Sequence, residues 1–182
     1  MKLVDVAQYN HQQSLNPQDS SPSDTADWGV TILPYTPQYR LDFKRLNLEW
    51  ITAYFSVEPL DTRLLSDPET YFLQPGGAIF FAKCCMEIVG TVGLLMHPDG
   101  GFELSKMGVT RLYRGRGIGQ QLVQTALEKA KSLGAKAVFL ETHSKLLPAV
   151  LLYKKLGFCT KPFPNGRSER YQRADTYMVL EW

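Results

Sequence analysis

The chain has little with which to staple itself by covalent or metal chemistry. Its three cysteines are Cys84, Cys85 and Cys159, an odd number with two of them adjacent, which suits neither a disulfide framework nor a zinc site with CxxC spacing. A reducing cytoplasm is therefore the expected compartment, a buried structural role is expected for Cys84 and Cys85, and no metal is expected. Long apolar runs are missing as well. The most apolar windows, Ala78 to Ala82 and Ile88 to Met96, fall well short of the roughly 20 residues that cross a bilayer. Met1 to Val6 runs directly into polar sequence, where a secretion signal would carry an apolar stretch. No membrane association is expected. Charge of one sign is also scarce: 20 basic against 18 acidic residues leave +2, too even for the positive surface that holds nucleic acid. A small or neutral partner is the expectation.

What is present is core material. A length of 182 residues with 44% hydrophobic and 12% aromatic content is enough for one domain. Gln8 to Asp27 are rich in Gln, Asn, Ser, Asp and Pro and cannot offset the entropy of ordering by themselves. Residues 1–27 therefore read as a polar N-terminal arm and residues 28–182 as the domain. An arm of this kind gains order by packing on its own domain or on a neighbouring protomer, so a homodimer is an expectation to be tested.

From Trp28 onward strand and helix periods alternate. A strand near Gly29 to Tyr35 precedes a helix whose apolar face is Phe43, Leu46, Asn47, Trp50, Ile51 and Tyr54, spaced by three and four. A broken helical stretch follows near Pro59 to Phe72. Three strands, Ala78 to Cys84, Glu87 to Met96 and Gly101 to Val109, are joined by short turns and read as an antiparallel meander. Ile118, Leu122, Val123, Ala126, Leu127, Ala130 and Leu133 form a helical stripe ended by Gly134; a buried strand Ala137 to Glu141 comes next. Pro148 opens a last helix that stops at Gly157, and Arg173 to Leu180 reads as a closing strand.

The most informative segment is Val109-Thr-Arg-Leu-Tyr-Arg-Gly-Arg-Gly-Ile-Gly-Gln-Gln. Glycines at 115, 117 and 119 let the backbone turn tightly, leaving N–H groups pointing into one concavity at the positive end of a helix. That is a diphosphate site. A dinucleotide fingerprint is the nearest competitor, with Glu141 at a suitable distance downstream for a ribose. However, Gln120 stands where a further glycine is required, and Thr110 to Tyr113 separate strand from glycines. A Walker loop needs Gly-Lys-Ser/Thr, which is missing.

Arg114-Gly115-Arg116-Gly117-Ile118-Gly119 resembles the signature of the GNAT superfamily of N-acetyltransferases, Gln/Arg-x-x-Gly-x-Gly/Ala, at every specified position. The likeness extends through Phe80-Phe81-Ala82, Ile88-Val89-Gly90-Thr91 and Leu152-Tyr153-Lys154-Lys155-Leu156-Gly157-Phe158. It implies an α/β fold with α+β mixed character: a mostly antiparallel central sheet of six to seven strands, split at a V-shaped cleft and flanked by about four helices. It also implies acetyl-CoA as cofactor. The pantetheine arm would bind the backbone of Met107, Gly108 and Val109 like an added strand. The pyrophosphate would rest on Arg114, Gly115, Arg116, Gly117, Ile118, Gly119 and Gln120. The acceptor would be a primary amine of a small molecule, amino acid or peptide, which attacks the thioester directly in a ternary complex. A coenzyme A binding sensor without turnover is the alternative, and a nicotinamide-binding protein a weaker one.

The same resemblance suggests the catalytic groups. Tyr153 matches the tyrosine that protonates the coenzyme A thiolate, and a phenol with pKa of about 10 stays protonated at neutral pH. Glu103 lies four residues before Met107, where relatives in the histone-acetylating branch carry a general base. Strand alternation would put Glu103, Ser105 and Met107 on one face. The amide of Gly108 or Val109 would stabilise the oxyanion. Leu146 stands where relatives often have Asn, so His143 or Ser144 would substitute, and His143 is a second candidate base. Arg167, Arg170 and Arg173 cluster near the acceptor side, which suggests an acceptor bearing a carboxylate.

Overall fold

The structure, a computed structural model, describes residues 29–182. The N-terminal arm and the dimer contact expected of it lie outside the described residues. The described chain forms one seven-stranded sheet in the order β1-β2-β3-β4-β5-β7-β6. In sequence the elements are β1 (Val30–Pro34), α1 (Arg40–Tyr54), α2 (Pro59–Ser66), β2 (Ala78–Cys84), β3 (Glu87–Met96) and β4 (Phe102–Val109), followed by α3 (Ile118–Ser132), β5 (Ala137–Thr142), α4 (Leu147–Lys155), β6 (Cys159–Lys161) and β7 (Thr176–Glu181). Asp67-Pro68 ends α2, and a single π-helical turn, Glu69–Leu73, leads into the sheet.

Each face of the sheet carries its own core. On one side, Leu122, Val123, Ala126 and Ala130 from α3 pack with Val92, Leu94, Leu104, Val138 and Leu140. This is the burial that the helical stripe anticipates. On the other, Phe43, Leu46 and Ile51 of α1 and Leu64 and Leu65 of α2 cover Ile79 and Phe81. Phe43 meets Phe72 edge-on, centroids 5.5 Å apart at 84°, a geometry that aligns ring edges with ring faces.

The feature that makes a cleft is the parting of two central strands. β4 and β5 are parallel, yet only Phe102 and Glu103 pair, with Val138 and Phe139. β5 continues its ladder on the other side, with β7. Where the strands part, β4 is bulged: Gly93 opposes Ser105 and Thr91 opposes Gly108, so Lys106 and Met107 together face Val92. Lys106 has φ 52°, a left-handed conformation uncommon for a residue with a Cβ. A bulge bends and twists its strand, and here it swings the end of β4 away from β5.

The bulge corrects one expectation. Alternation holds for Glu103 and Ser105 but reverses at Lys106, so Met107 packs with the α3-side core and Gly108 turns towards Trp50 and Leu46 of α1. Glu103 and Met107 therefore occupy opposite faces. Cys84 is buried but Cys85 is exposed, because the tight turn gives it φ 55° and turns it outwards. The three-residue strand β6 was not foreseen in the sequence. Its residues are all exposed, so they carry no apolar alternation.

Candidate active site

The parted strands open a cleft of about 470 Å³. One end is the β4–α3 junction. Gly115 and Gly117 have φ of 77° and 75°, and a Cβ at either would meet nothing within 4 Å, so the loop faces open space. Gly117 is the N-cap of α3, which leaves the first amides of the helix without intrahelical acceptors at the positive end of its dipole. The geometry suits a diphosphate. Arg114 folds back, its Nε donating to the Val109 carbonyl at 2.8 Å, while the Arg116 guanidinium lies 5.1 Å from the Tyr113 ring centroid. Gln120 accepts from Lys155 Nζ at 3.1 Å, which ties the loop to α4. Ile118 is buried in the α3-side core, and Gly119 lines the cleft against Leu152.

Along the cleft floor run Leu104 to Val109, whose β5-facing edge is unpaired after Glu103. Exposed strand edges accept an extended chain of amides, and this edge continues directly into the glycine loop. Gly108 is required where it stands, since a Cβ there would sit 2.9 Å from Trp50 Cδ1. Tyr153 of α4 lines the opposite wall. Its ring packs at 5.8 Å on Phe158, and burial raises its pKa well above that of a free phenol.

The far end is built around buried charge. Asp61 of α2 is fully buried and receives Lys106 Nζ at 2.6 Å and the Arg173 guanidinium through two nitrogens, at 2.6 and 2.8 Å. Burial alone would raise its pKa; the hydrogen bonds from Arg173 and Lys106 outweigh that and bring it down to about 2. Burial takes Lys106 down to about 8 against the opposing pull of Asp61. Lys106 also donates to Tyr171 Oη at 2.9 Å, and Arg173 lies 4.6 Å from the centre of the Tyr171 ring. The left-handed turn at Lys106 is what aims its side chain into this cage. With Glu58 accepting from Arg173 at 3.2 Å, two cations meet two carboxylates and the cage is neutral.

The cage changes the reading of the arginines. Arg173 reaches the cleft but is neutralised by Asp61 and Glu58. Arg170 is bound to Glu103, and Arg167 is exposed. The cluster therefore offers the acceptor no uncompensated arginine at the cleft. Glu103 is only 1% exposed; its carboxylate meets Arg170 and, at 3.0 Å, His97 Nε2, and the cleft wall is formed by its neighbours instead. His143 does line the cleft, but its Nδ1 accepts the Lys145 amide at 3.0 Å. That contact engages the Nδ1 lone pair, which is then not free to take a proton from an acceptor. Ser144 donates to Asp175 at 2.6 Å and does not cap α4.

Sequence reasoning missed the Asp61–Lys106–Arg173 cage and the aromatic wall of Trp50, Tyr54, Phe55 and Tyr171. A signal existed for Asp61: a lone acid in the otherwise apolar inner face of α2, beside Leu64 and Leu65.

Comparison with known proteins agrees with this architecture. The sequence profile of the Acetyltransferase (GNAT) family matches residues 44–158. N-acetyltransferase 8B of Rattus norvegicus is 34% identical over 104 residues, 54% of this chain and 47% of that protein. An uncharacterized N-acetyltransferase of Schizosaccharomyces pombe is 31% identical over 143 residues, 71% of this chain and 85% of that protein. The chain spans about half the length of the first curated relatives it matches. Among solved structures, a GNAT-family acetyltransferase of Staphylococcus aureus superposes with a TM-score of 0.75 at 22% identity, covering 84% of this chain and 98% of the other. A Salmonella typhimurium protein solved with its cofactor acetyl-CoA gives 0.65 at 15% identity over 84% of this chain and 93% of that one. At such identities the structures speak for the fold, while the profile covers well over half of the sequence: the chain belongs to the acetyltransferase (GNAT) family.

Proposed function

We propose that the chain is an N-acetyltransferase that takes acetyl-CoA into the β4–β5 cleft and acetylates a primary amine of a small molecule, amino acid or peptide within a ternary complex. The observation that carries this reading is the continuity of one groove: an unpaired strand edge, a helix entry rich in free amides, and a buried phenol on the facing wall. Bound acetyl-CoA supplies a thioester carbonyl activated for acyl transfer. The backbone of Met107, Gly108 and Val109 holds the pantetheine arm, and the amides from Arg114 to Gln120 hold the pyrophosphate. In this reading the two arginines of the loop act mainly through their backbone, because Arg114 braces Val109 and Arg116 stacks on Tyr113.

Tyr153 keeps its proton at neutral pH because burial disfavours the phenolate, and so holds it available for the leaving sulfur. The amide of Gly108 or Val109 faces the developing oxyanion. Glu103, locked with Arg170 and His97, fixes the segment before β7 against β4.

The test is calorimetric titration with acetyl-CoA followed by thiol release with ethylamine, benzylamine, glycinamide and lysine as acceptors. Saturable binding with amine-dependent thiol release is expected. Binding with no release above background would point to a coenzyme A sensor, and no binding would remove the reading altogether.

A further inference from the structure

We propose that Glu141, at the end of β5, is the group that takes the proton from the acceptor amine. The inference rests on the acetyl-transfer reading above and assigns the base within it. Glu141 is the only carboxylate among the described residues that line the cleft. Its position follows from the topology. Val138 and Leu140 are buried in the α3-side core, so Phe139 and Glu141 project from the opposite face. Phe139 pairs with Glu103, and two residues further on Glu141 and Ser105 face each other across the opening gap, both on the cleft wall.

The carboxylate is held on one side and free on the other. Ser168 Oγ accepts the amides of Tyr171 at 2.9 Å and Arg170 at 3.2 Å. With its lone pairs engaged, its hydrogen points to Glu141 Oε2, which it meets in a short contact. Oε1 has no hydrogen-bond partner among the described residues. A carboxylate fixed through one oxygen, with the other open to a cleft, is what a general base requires. Among the described residues no arginine or lysine forms an ion pair with it, in contrast to Glu103 with Arg170, and Asp61 with Lys106 and Arg173. Partial burial raises its pKa, which improves it as a proton acceptor. The charged and titratable groups around it are His97 between β3 and β4, Glu169 and Arg170 before β7, and Tyr177 on β7.

The acceptor enters as R–NH3+ and gives one proton to Glu141 Oε1, which passes it to solvent. The freed lone pair forms the N–C bond to the thioester carbonyl carbon. On collapse the C–S bond breaks, and the departing sulfur takes the Tyr153 proton. The second nitrogen proton returns through water to Tyr153. The products are the acetamide, the free thiol and one proton.

The test is a pH–rate profile of thiol release for the wild type, Glu141→Gln, Glu141→Asp and Glu103→Gln, using whichever amine of the panel turns over fastest, with acetyl-CoA affinity measured for each. For Glu141→Gln, kcat is expected to fall by about 100-fold or more and the remaining rate to track free amine across the whole range, with acetyl-CoA affinity unchanged. Glu141→Asp should regain a carboxylate-dependent acid limb. Three results would overturn the proposal while leaving the transferase reading intact: a wild-type profile in Glu141→Gln, loss of the acid limb in Glu103→Gln alone, or a rate loss in Glu141→Gln matched by lost acetyl-CoA affinity. A wild type that releases no thiol with any of these amines overturns both.

Discussion

Asp61 carries more consequence than any other side chain at the acceptor end, because the buried Lys106 and the partly buried Arg173 both depend on it. Asp61→Asn would leave Lys106 and Arg173 facing each other in a site with little solvent. Breaking a buried ion pair from one side typically costs about 3–5 kcal/mol, and chemical denaturation should show a loss of that size. The same residue sets an acid sensitivity. Its folded pKa of about 2 lies below the ordinary 3.8, so its contribution is complete above pH ~4 and is lost as pH falls towards ~2, amounting to roughly 2–3 kcal/mol. Urea titrations at intervals between those pH values should show it, and Asp61→Asn should flatten the dependence. On the opposite wall, Tyr153→Phe keeps the ring on Phe158 and removes only the hydroxyl, and with it the transferable proton. It should lower kcat about 100-fold with acetyl-CoA affinity intact; full activity would reduce Tyr153 to packing. At this scale the glycine loop was legible from local spacing, and the place of Tyr153 on the cleft wall from the family resemblance. The pairing of Asp61 with residues 45 and 112 positions away was not, because no local pattern records a contact across elements.

The elements themselves were mostly legible. β2 and β3 have the same limits in sequence and structure, as hydrophobic runs bounded by Pro75-Gly76-Gly77, Cys85-Met86 and Pro98-Asp99-Gly100 leave little choice. β4 shows where periodicity fails. Its residues read as an unbroken strand, and only the paired register exposes the extra residue. Gly108→Ala tests how tightly that strand is packed on α1. The added methyl would be 2.9 Å from Trp50 Cδ1 and 3.3 Å from the Leu46 carbonyl oxygen. Overpacking of this kind costs about 1–3 kcal/mol. We expect a lower Tm together with a raised KM for acetyl-CoA, since the strand edge that would hold the pantetheine arm must shift to make room. Wild-type values for both would mean that α1 yields freely.

For the whole molecule, the antiparallel meander and the strand–helix–parallel strand unit were legible from the alternation of strand and helix periods, whereas the exposed three-residue β6 at the sheet edge was not. No helix among the described residues is long and apolar enough to cross a membrane. The cleft divides the sheet into a β1–β4 meander and a β5–β7–β6 group, joined by the short β4–β5 ladder and by a shared core that includes Leu104 of β4 and Val138 and Leu140 of β5. A ligand lying along the gap would touch both halves and favour the folded state. At a hundredfold excess over Kd, acetyl-CoA should add about 2.7 kcal/mol and raise Tm by roughly 5–10 °C. Thermal denaturation with and without the thioester measures this, and an unmoved Tm would mean that the gap is not a binding site.

The pleat of β4 reverses at a single lysine that also closes the charge cage. Grafting in a regular strand of the same length would keep Glu103 and Ser105 in place yet turn the tripeptide Met107-Gly108-Val109 to the opposite face and withdraw the ammonium from Asp61. Donor groove and acceptor chamber are thus inherited together, and chimeras that cut within this strand should lose both at once, whereas those that exchange the whole β3–β4 hairpin can keep them.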